Sequence, residues 1–180
     1  AQAKEWVSRV GSQTIGQSPE NTNEIRISLA VPEEWHFSGE PWTQDADGNI
    51  RPPDKRNLHS RAFSLTKSFD DFEVEFEFNA SYRETGTGTA GLILRGQDVN
   101  QFYLVHFPWG GQQLRAKHFW AVVSKVEGDG YLRNLGAAWV PNLPSETDRW
   151  YRVHVAAVGS EIRVWVDGRE ALCVHDGLYK

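Results

Sequence analysis

The sequence holds a single cysteine, Cys173, and no methionine in 180 residues. One cysteine cannot close an intramolecular disulfide, and no CxxC pair or Cys/His cluster of zinc type is present. No apolar run approaches the ~20 residues of a membrane span, and no hydrophobic signal region is seen, so no membrane partner is expected. Runs of Lys and Arg are missing too, and the net charge is −5, which leaves no electrostatic attraction for nucleic acid or anionic lipid. The glycines of residues 81–89 (SYRETGTGT) lack the strand–helix context of a phosphate loop. No Ser/His/Asp triad or metal motif can be placed either, so no cofactor is expected. Helical period is absent from every segment longer than about ten residues.

What the chain has instead is alternation and tryptophan. Residues 69–79 read FDDFEVEFEFN, with Phe72, Val74, Phe76 and Phe78 on one face and Glu73, Glu75 and Glu77 on the other. Strict period two marks a half-buried strand whose apolar face meets an opposing sheet. Its acidic face is either a solvated surface or a catalytic row. Tryptophan occurs eight times, more than a core of this size absorbs comfortably, and exposed Trp points to a binding surface.

Short alternating strands recur along the chain, over residues 4–9, 24–30, 35–37, 42–44, 50–51, 60–65, 91–95, 102–107, 114–123, 150–158, 161–166 and 170–175. Turn signals separate them every ~8–12 residues, as in sandwiches. Asp47-Gly48, Gly128-Asp129-Gly130 and Asp167-Gly168 are hairpin turns. The run from Asp45 to Asn49 resembles the start of a calcium loop, but its glycine is at the fourth position and no glutamate stands at the twelfth, so a turn is the better reading. The fold class expected is all-β, a two-sheet antiparallel sandwich, as a single domain over residues 1–180.

The order of "GEPWTQDADGNIRPP", "RAFSLTKSFDDFEVEFEFN", "TAGLILRGQDVNQFYLVHF" and "DRWYRVHVAAVGSEIRVWVDGRE" resembles the concanavalin A-like jelly rolls. Within them it is similar to the laminin-G-like group that includes the bacterial 3-keto-disaccharide hydrolase-like family and the fructan-binding carbohydrate-binding modules. The resemblance covers residues 35–179 and implies the fold more strongly than the function. Such domains close with a further strand or two after the position of Gly177. A fragment of a longer chain is therefore expected, the alternative being that an N-terminal strand takes that place.

The glutamate row echoes the Glu-x-Asp-x-Glu strand of laminarinase-type glycosidases, where carboxyls two apart can stand ~5–5.5 Å from each other. Here the middle residue is Glu75. The resembling folds set the hairpin of residues 150–167 beside this strand, and Arg152, His154 and Arg163 would then face Glu73, Glu75 and Glu77. A charge ladder is the preferred reading and a catalytic row the alternative.

A ligand patch is expected on the other sheet. Sugars are held by aromatic faces beneath their C–H surfaces and by polar groups at their hydroxyls. Arg95, His106, Trp109 and Trp120, with Glu84 from the loop before them and Trp139 from another loop, supply such groups. Arg95 in a salt bridge with Asp98, and His106 as a surface histidine, are the plainer alternatives. The register of residues 114–123 stays open between a face with Arg115 and Lys117 and one with His118 and Trp120.

These expectations describe a non-catalytic carbohydrate-binding module of a secreted polysaccharide-degrading protein. The alternative is a glycoside-cleaving enzyme, and a sandwich that only packs against another domain is the blandest reading. A carbohydrate ligand and other segments of the same protein are the expected partners. The start, Ala1-Gln2-Ala3, has the small-x-small form left by signal peptidase and agrees with a secreted, periplasmic or cell-surface location.

Overall fold

The computed structural model describes the backbone of residues 7–10, 23–26, 35–38, 42–47, 49–51, 61–64, 70–79, 88–109, 119–144, 146 and 149–179. It describes the side chains of 42–47, 49–51, 70–79, 91–108, 119–144, 146 and 149–179. Every regular element among these residues is a strand: β1 (Val7–Val10), β2 (Asn23–Arg26), β3 (Trp35–Ser38), β4 (Thr43–Gln44), β5 (Ile50–Arg51), β6 (Arg61–Ser64), β7 (Phe72–Asn79), β8 (Gly88–Asp98), β9 (Gln101–Trp109), β10 (Trp120–Glu127), β11 (Leu132–Trp139), β12 (Trp150–Val158), β13 (Glu161–Val166) and β14 (Arg169–His175). A six-stranded sheet runs β14-β13-β12-β7-β1-β2, and a four-stranded sheet runs β11-β10-β9-β8, all pairs antiparallel. This is the two-sheet sandwich expected from the alternation.

The core lies between the sheets and starts from the apolar face of β7. Phe72, Val74, Phe76 and Phe78 are all buried, beside Tyr151, Val153, Val155 and Ala157 of β12. Phe78 stacks on Phe107 of β9 at 5.0 Å, and Phe119 lies 4.4 Å from Tyr151. Each such side chain contributes about 1.5–3 kcal/mol by leaving water, so this aromatic knot is where the sheets are held together. The sheets also approach closely at β11, where a Cβ on Gly136 would stand 2.6 Å from Val174 Cγ1. Only glycine lets β14 pack there.

Local chemistry fixes the turns. Asp167 and Gly168, at φ 48° and 74°, form the tight turn between β13 and β14. The Asp167 carboxylate accepts from Arg152 N at 3.0 Å and from Arg149 Nη2 at 2.6 Å. The Asp45 carboxylate accepts from Asp47 N, Asn49 N, Asn49 Nδ2 and Arg51, so it is engaged by its own β4–β5 hairpin, as the turn reading expects.

Past β14 the chain straps one end of the sandwich. The Tyr103 hydroxyl donates to Asp176 Oδ1 at 2.6 Å, Lys125 Nζ donates to Asp176 Oδ2 at 2.9 Å, and the Tyr179 hydroxyl donates to Val126 O at 2.7 Å. Burial works to raise the Asp176 carboxyl, but the bonds from Tyr103, Leu178 N and Lys125 outweigh it and hold it below the usual carboxylate range.

Arg95 completes this end and departs from expectation. Strand alternation places it on the outer face of β8, opposite in parity to Leu94. A register shift after Leu94 and a positive φ of 47° at Arg95 turn its side chain inward instead. The side chain is 1% exposed and its nitrogens are taken up. Nε donates to Asp70 O at 2.8 Å, Nη1 to Gly159 O at 2.6 Å and Tyr179 O at 3.5 Å, and Nη2 to Asp71 Oδ1 at 3.2 Å. Neither the expected ligand role nor the alternative bridge to Asp98 survives this geometry. Arg95 ties β8 to the β12–β13 turn and to the C-terminal strap.

Candidate functional site

The register of the four-stranded sheet decides which side chains share its outer face. His106 is paired with Val122, and Trp120 with Trp139. Tyr103, Val105, Phe107, Ala121 and Val123 face the core, so Phe102, Leu104, His106, Trp120, Val122 and Ser124 point the other way; of these Phe102, Val122 and Ser124 are buried and Leu104, His106 and Trp120 half-buried, so the exposed part of this face is the β11 edge with Trp139 and Asn134. Trp120, the first residue of β10, is on this face; His118, Arg115 and Lys117, which the two registers of residues 114–123 would have placed, lie outside the described residues.

Three expected residues meet on this face. The Trp120 and Trp139 rings stand edge to face at 4.1 Å, with Trp139 42% exposed. Trp139 is the last residue of β11 rather than part of a loop. The corner it makes with Trp120 is a rigid apolar step, with one ring held at right angles by the other. His106 lies beside it on β9, opposite Gly91 of β8. A Cβ on Gly91 would stand 2.7 Å from Val105 O and 3.0 Å from His106 Cβ, so the glycine makes the room the histidine uses.

A polar line runs across the same face. His106 Nε2 lies 3.1 Å from Ser124 Oγ, and Ser124 Oγ donates to Asn134 Oδ1 at 2.8 Å. With Ser124 donating to Asn134, the line closes when His106 carries its proton on Nε2. Burial pushes the imidazole down to about 4, and it is neutral at physiological pH. Asn134 is exposed at the end of the line. It reaches this face because Leu135 is an extra residue in β11: Val123 pairs with Gly136 and Ser124 with Asn134. Ser124 and Asn134 are not among the residues that the sequence pattern points to. The signal available is the serine itself, a hydroxyl within the apolar run of β10.

The other expected ligand residues are placed differently. Trp109 ends β9 with its backbone opposite Gly88, at the Trp120 end of the sheet. Glu84 lies outside the described residues. Arg95 is buried at the other end, as described.

The glutamate row faces outward from the six-stranded sheet. Arg152 Nη2 reaches Glu75 Oε1 at 2.5 Å, and His154 Nε2 lies 3.3 Å from Glu73 Oε2. Glu77 stands opposite Arg152 in the register. This is the cross-strand charge ladder, offset diagonally by two residues from the direct pairing. Arg163 does not join it, because β12 stands between; it pairs with Glu161 at 2.9 Å and Glu170 at 3.6 Å. A groove of about 570 Å³ beside the ladder is lined by Glu75, Arg152, His154, Trp165, Asp167 and Gly168. Trp165 does not offer it an open ring, since His154 stacks on the indole at 4.7 Å.

Residues 30–178 match the family described as 3-keto-alpha-glucoside-1,2-lyase-like domain. Among solved structures the chain is similar to the carbohydrate binding module CBM66 from Bacillus subtilis, with 20% identity over 81% of each chain and a TM-score of 0.63. That likeness carries the jelly-roll fold. No curated protein matches the chain.

Proposed function

Because the chain belongs to the 3-keto-alpha-glucoside-1,2-lyase-like domain family, we propose that it binds carbohydrate on the outer face of its four-stranded sheet, as a non-catalytic module of a secreted polysaccharide-degrading protein. The observation that carries this reading is the Trp120–Trp139 corner standing beside the His106–Ser124–Asn134 line. A pyranose or furanose ring stacks its C–H face on the exposed Trp139 indole. Its hydroxyls bond to the exposed Asn134 amide, which the Ser124 and His106 side chains behind it hold in place. The similar solved structure is a carbohydrate binding module, which supports the same class of ligand. An extracytoplasmic location and neighbouring domains in the same protein belong to this proposal.

Family membership favours one second reading, a lyase. Elimination across C1 and C2 of a 3-keto-glucoside needs a base to take the proton beside the keto carbon while the C1 oxygen leaves. Among the described residues His106 is the base on this face. With its conjugate acid near 4 it is a weak base at neutral pH, whereas efficient proton transfer calls for a group poised near the working pH. The binding reading is therefore preferred.

Glycan-array binding followed by calorimetry tests both. Binding without product release, weakened about tenfold in Trp139→Ala by loss of one aromatic platform, is the expected result. Release of the leaving group from 3-keto-glucosides, abolished in His106→Gln while binding persists, would replace the module with the lyase.

A further inference from the structure

The outer face of the last hairpin carries a second cluster, on the opposite sheet from the sugar-binding surface. Glu161 of β13 pairs directly with His175 of β14, and Cys173 lies two residues back on the same face of β14. One ligand atom from each of the three lies within 4.8 Å of the others. Glu161 Oε2 is 3.4 Å from His175 Nε2, close to the spacing of two ligands on one tetrahedral ion. Carboxylate, imidazole and thiolate together are a borderline-soft set, matched to zinc rather than to calcium or magnesium.

We propose that Glu161, Cys173 and His175 form a surface binding site for a zinc-class divalent transition-metal ion. One ligand, Glu161, already has its outer partner, the same Arg163 that stands opposite Cys173 in the register. Arg163 donates from Nε to Glu161 Oε1 at 3.0 Å, which leaves Oε2 turned toward His175 and fixes the carboxylate as a ligand. Arg163 also reaches Glu170 at 3.6 Å, so its charge is shared rather than aimed solely at the metal. With the ion bound the local charges cancel: Zn²⁺ and Arg163 are matched by Glu161, Glu170 and the Cys173 thiolate. On binding, the Cys173 S–H bond breaks, an S–Zn bond forms and the proton passes to solvent. His175 is 66% exposed, so the fourth position faces water. Sequence inspection does not find this site, since two ligands stand two apart on one strand and the third comes from its neighbour across the hairpin turn.

The test uses the reduced protein titrated with Zn²⁺ by calorimetry and with Co²⁺ by absorbance. One ion should bind per chain, and Co²⁺ should show a thiolate-to-metal charge-transfer band with visible bands of tetrahedral intensity. Cys173→Ser should abolish the charge-transfer band, and His175→Ala and Glu161→Gln should each weaken Zn²⁺ binding by about tenfold or more. His154→Ala, on the same sheet but away from the cluster, should leave the affinity unchanged. All four positions are at least partly exposed, and circular dichroism confirms that the variants fold. Absence of Zn²⁺ binding to the folded, reduced protein overturns the proposal. Binding that survives Cys173→Ser, or Co²⁺ spectra without a sulfur band, overturns it equally.

Discussion

Arg95→Met separates an anchoring arginine from a ligand-binding one. Methionine keeps much of the side-chain volume, so the change removes the charge and its bonds without opening a large cavity. Two of those bonds are short, at 2.6 Å to Gly159 O and 2.8 Å to Asp70 O. A hydrogen bond from a charged donor is worth about 1.5–3 kcal/mol net. The bond to Tyr179 O is marginal at 3.5 Å. Asp71 is 45% exposed, so its ion pair adds about 1 kcal/mol at most. Asp70 and Gly159 are at the surface, and water replaces part of what their carbonyls lose. The balance is a loss of about 3–4 kcal/mol, which for a chain of this size lowers Tm by roughly 10 °C. Urea denaturation with a fixed slope measures the loss, and calorimetry at a temperature where the variant is folded measures sugar binding. Reduced stability with unchanged affinity is the expected outcome. Stability kept within ~0.5 kcal/mol together with lost sugar binding would refute the anchor and restore Arg95 as a ligand group.

Gly136→Ala should destabilise by about 1–3 kcal/mol, because its Cβ would press on Val174 and Leu172, and denaturation should show it with the β-rich circular dichroism spectrum retained. Asp176 is depressed in the folded state, so its contribution is fully present above the unfolded carboxylate value of about 3.9 and is lost as pH falls through the lower folded value. Asp176→Asn should therefore lower stability at neutral pH and flatten the acid limb of a stability–pH profile; an unchanged acid limb would remove Asp176 from the strap. Glu75→Gln breaks a pair whose members are 36% and 61% exposed, so stability should fall by about 1 kcal/mol or less, with sugar binding intact. Glycoside turnover abolished by that change would make the row catalytic after all.

The fold is legible in the sequence where alternation is unbroken. Phe72 to Phe78 names its own buried face, and the hairpin from Trp150 to Asp167 carries Arg152 and His154, which Glu75 and Glu73 meet. What period two cannot register is a single residue that breaks it. Leu135 is one such residue: it shifts the register of β11, so Asn134 arrives on the same face as Trp139, five positions away, where plain alternation would put them on opposite sides. The left-handed backbone at Arg95 is another, and it carries a charged side chain from the expected surface into the interior. The two irregularities have opposite effects on the candidate site, since one adds a polar group that alternation does not point to and the other removes the arginine it favours. His106 is legible because alternation holds along β9, whereas Trp139 reads as a loop residue in the sequence and reaches this face only through its pairing with Trp120 at the end of β11. Bulges re-aim side chains next to functional surfaces. The proposed sugar-binding face is thus built by regular pairing for its aromatic step and by one extra residue that leaves Asn134 opposite Ser124, and deleting Leu135 should remove the bulge while keeping that pair, now by plain alternation.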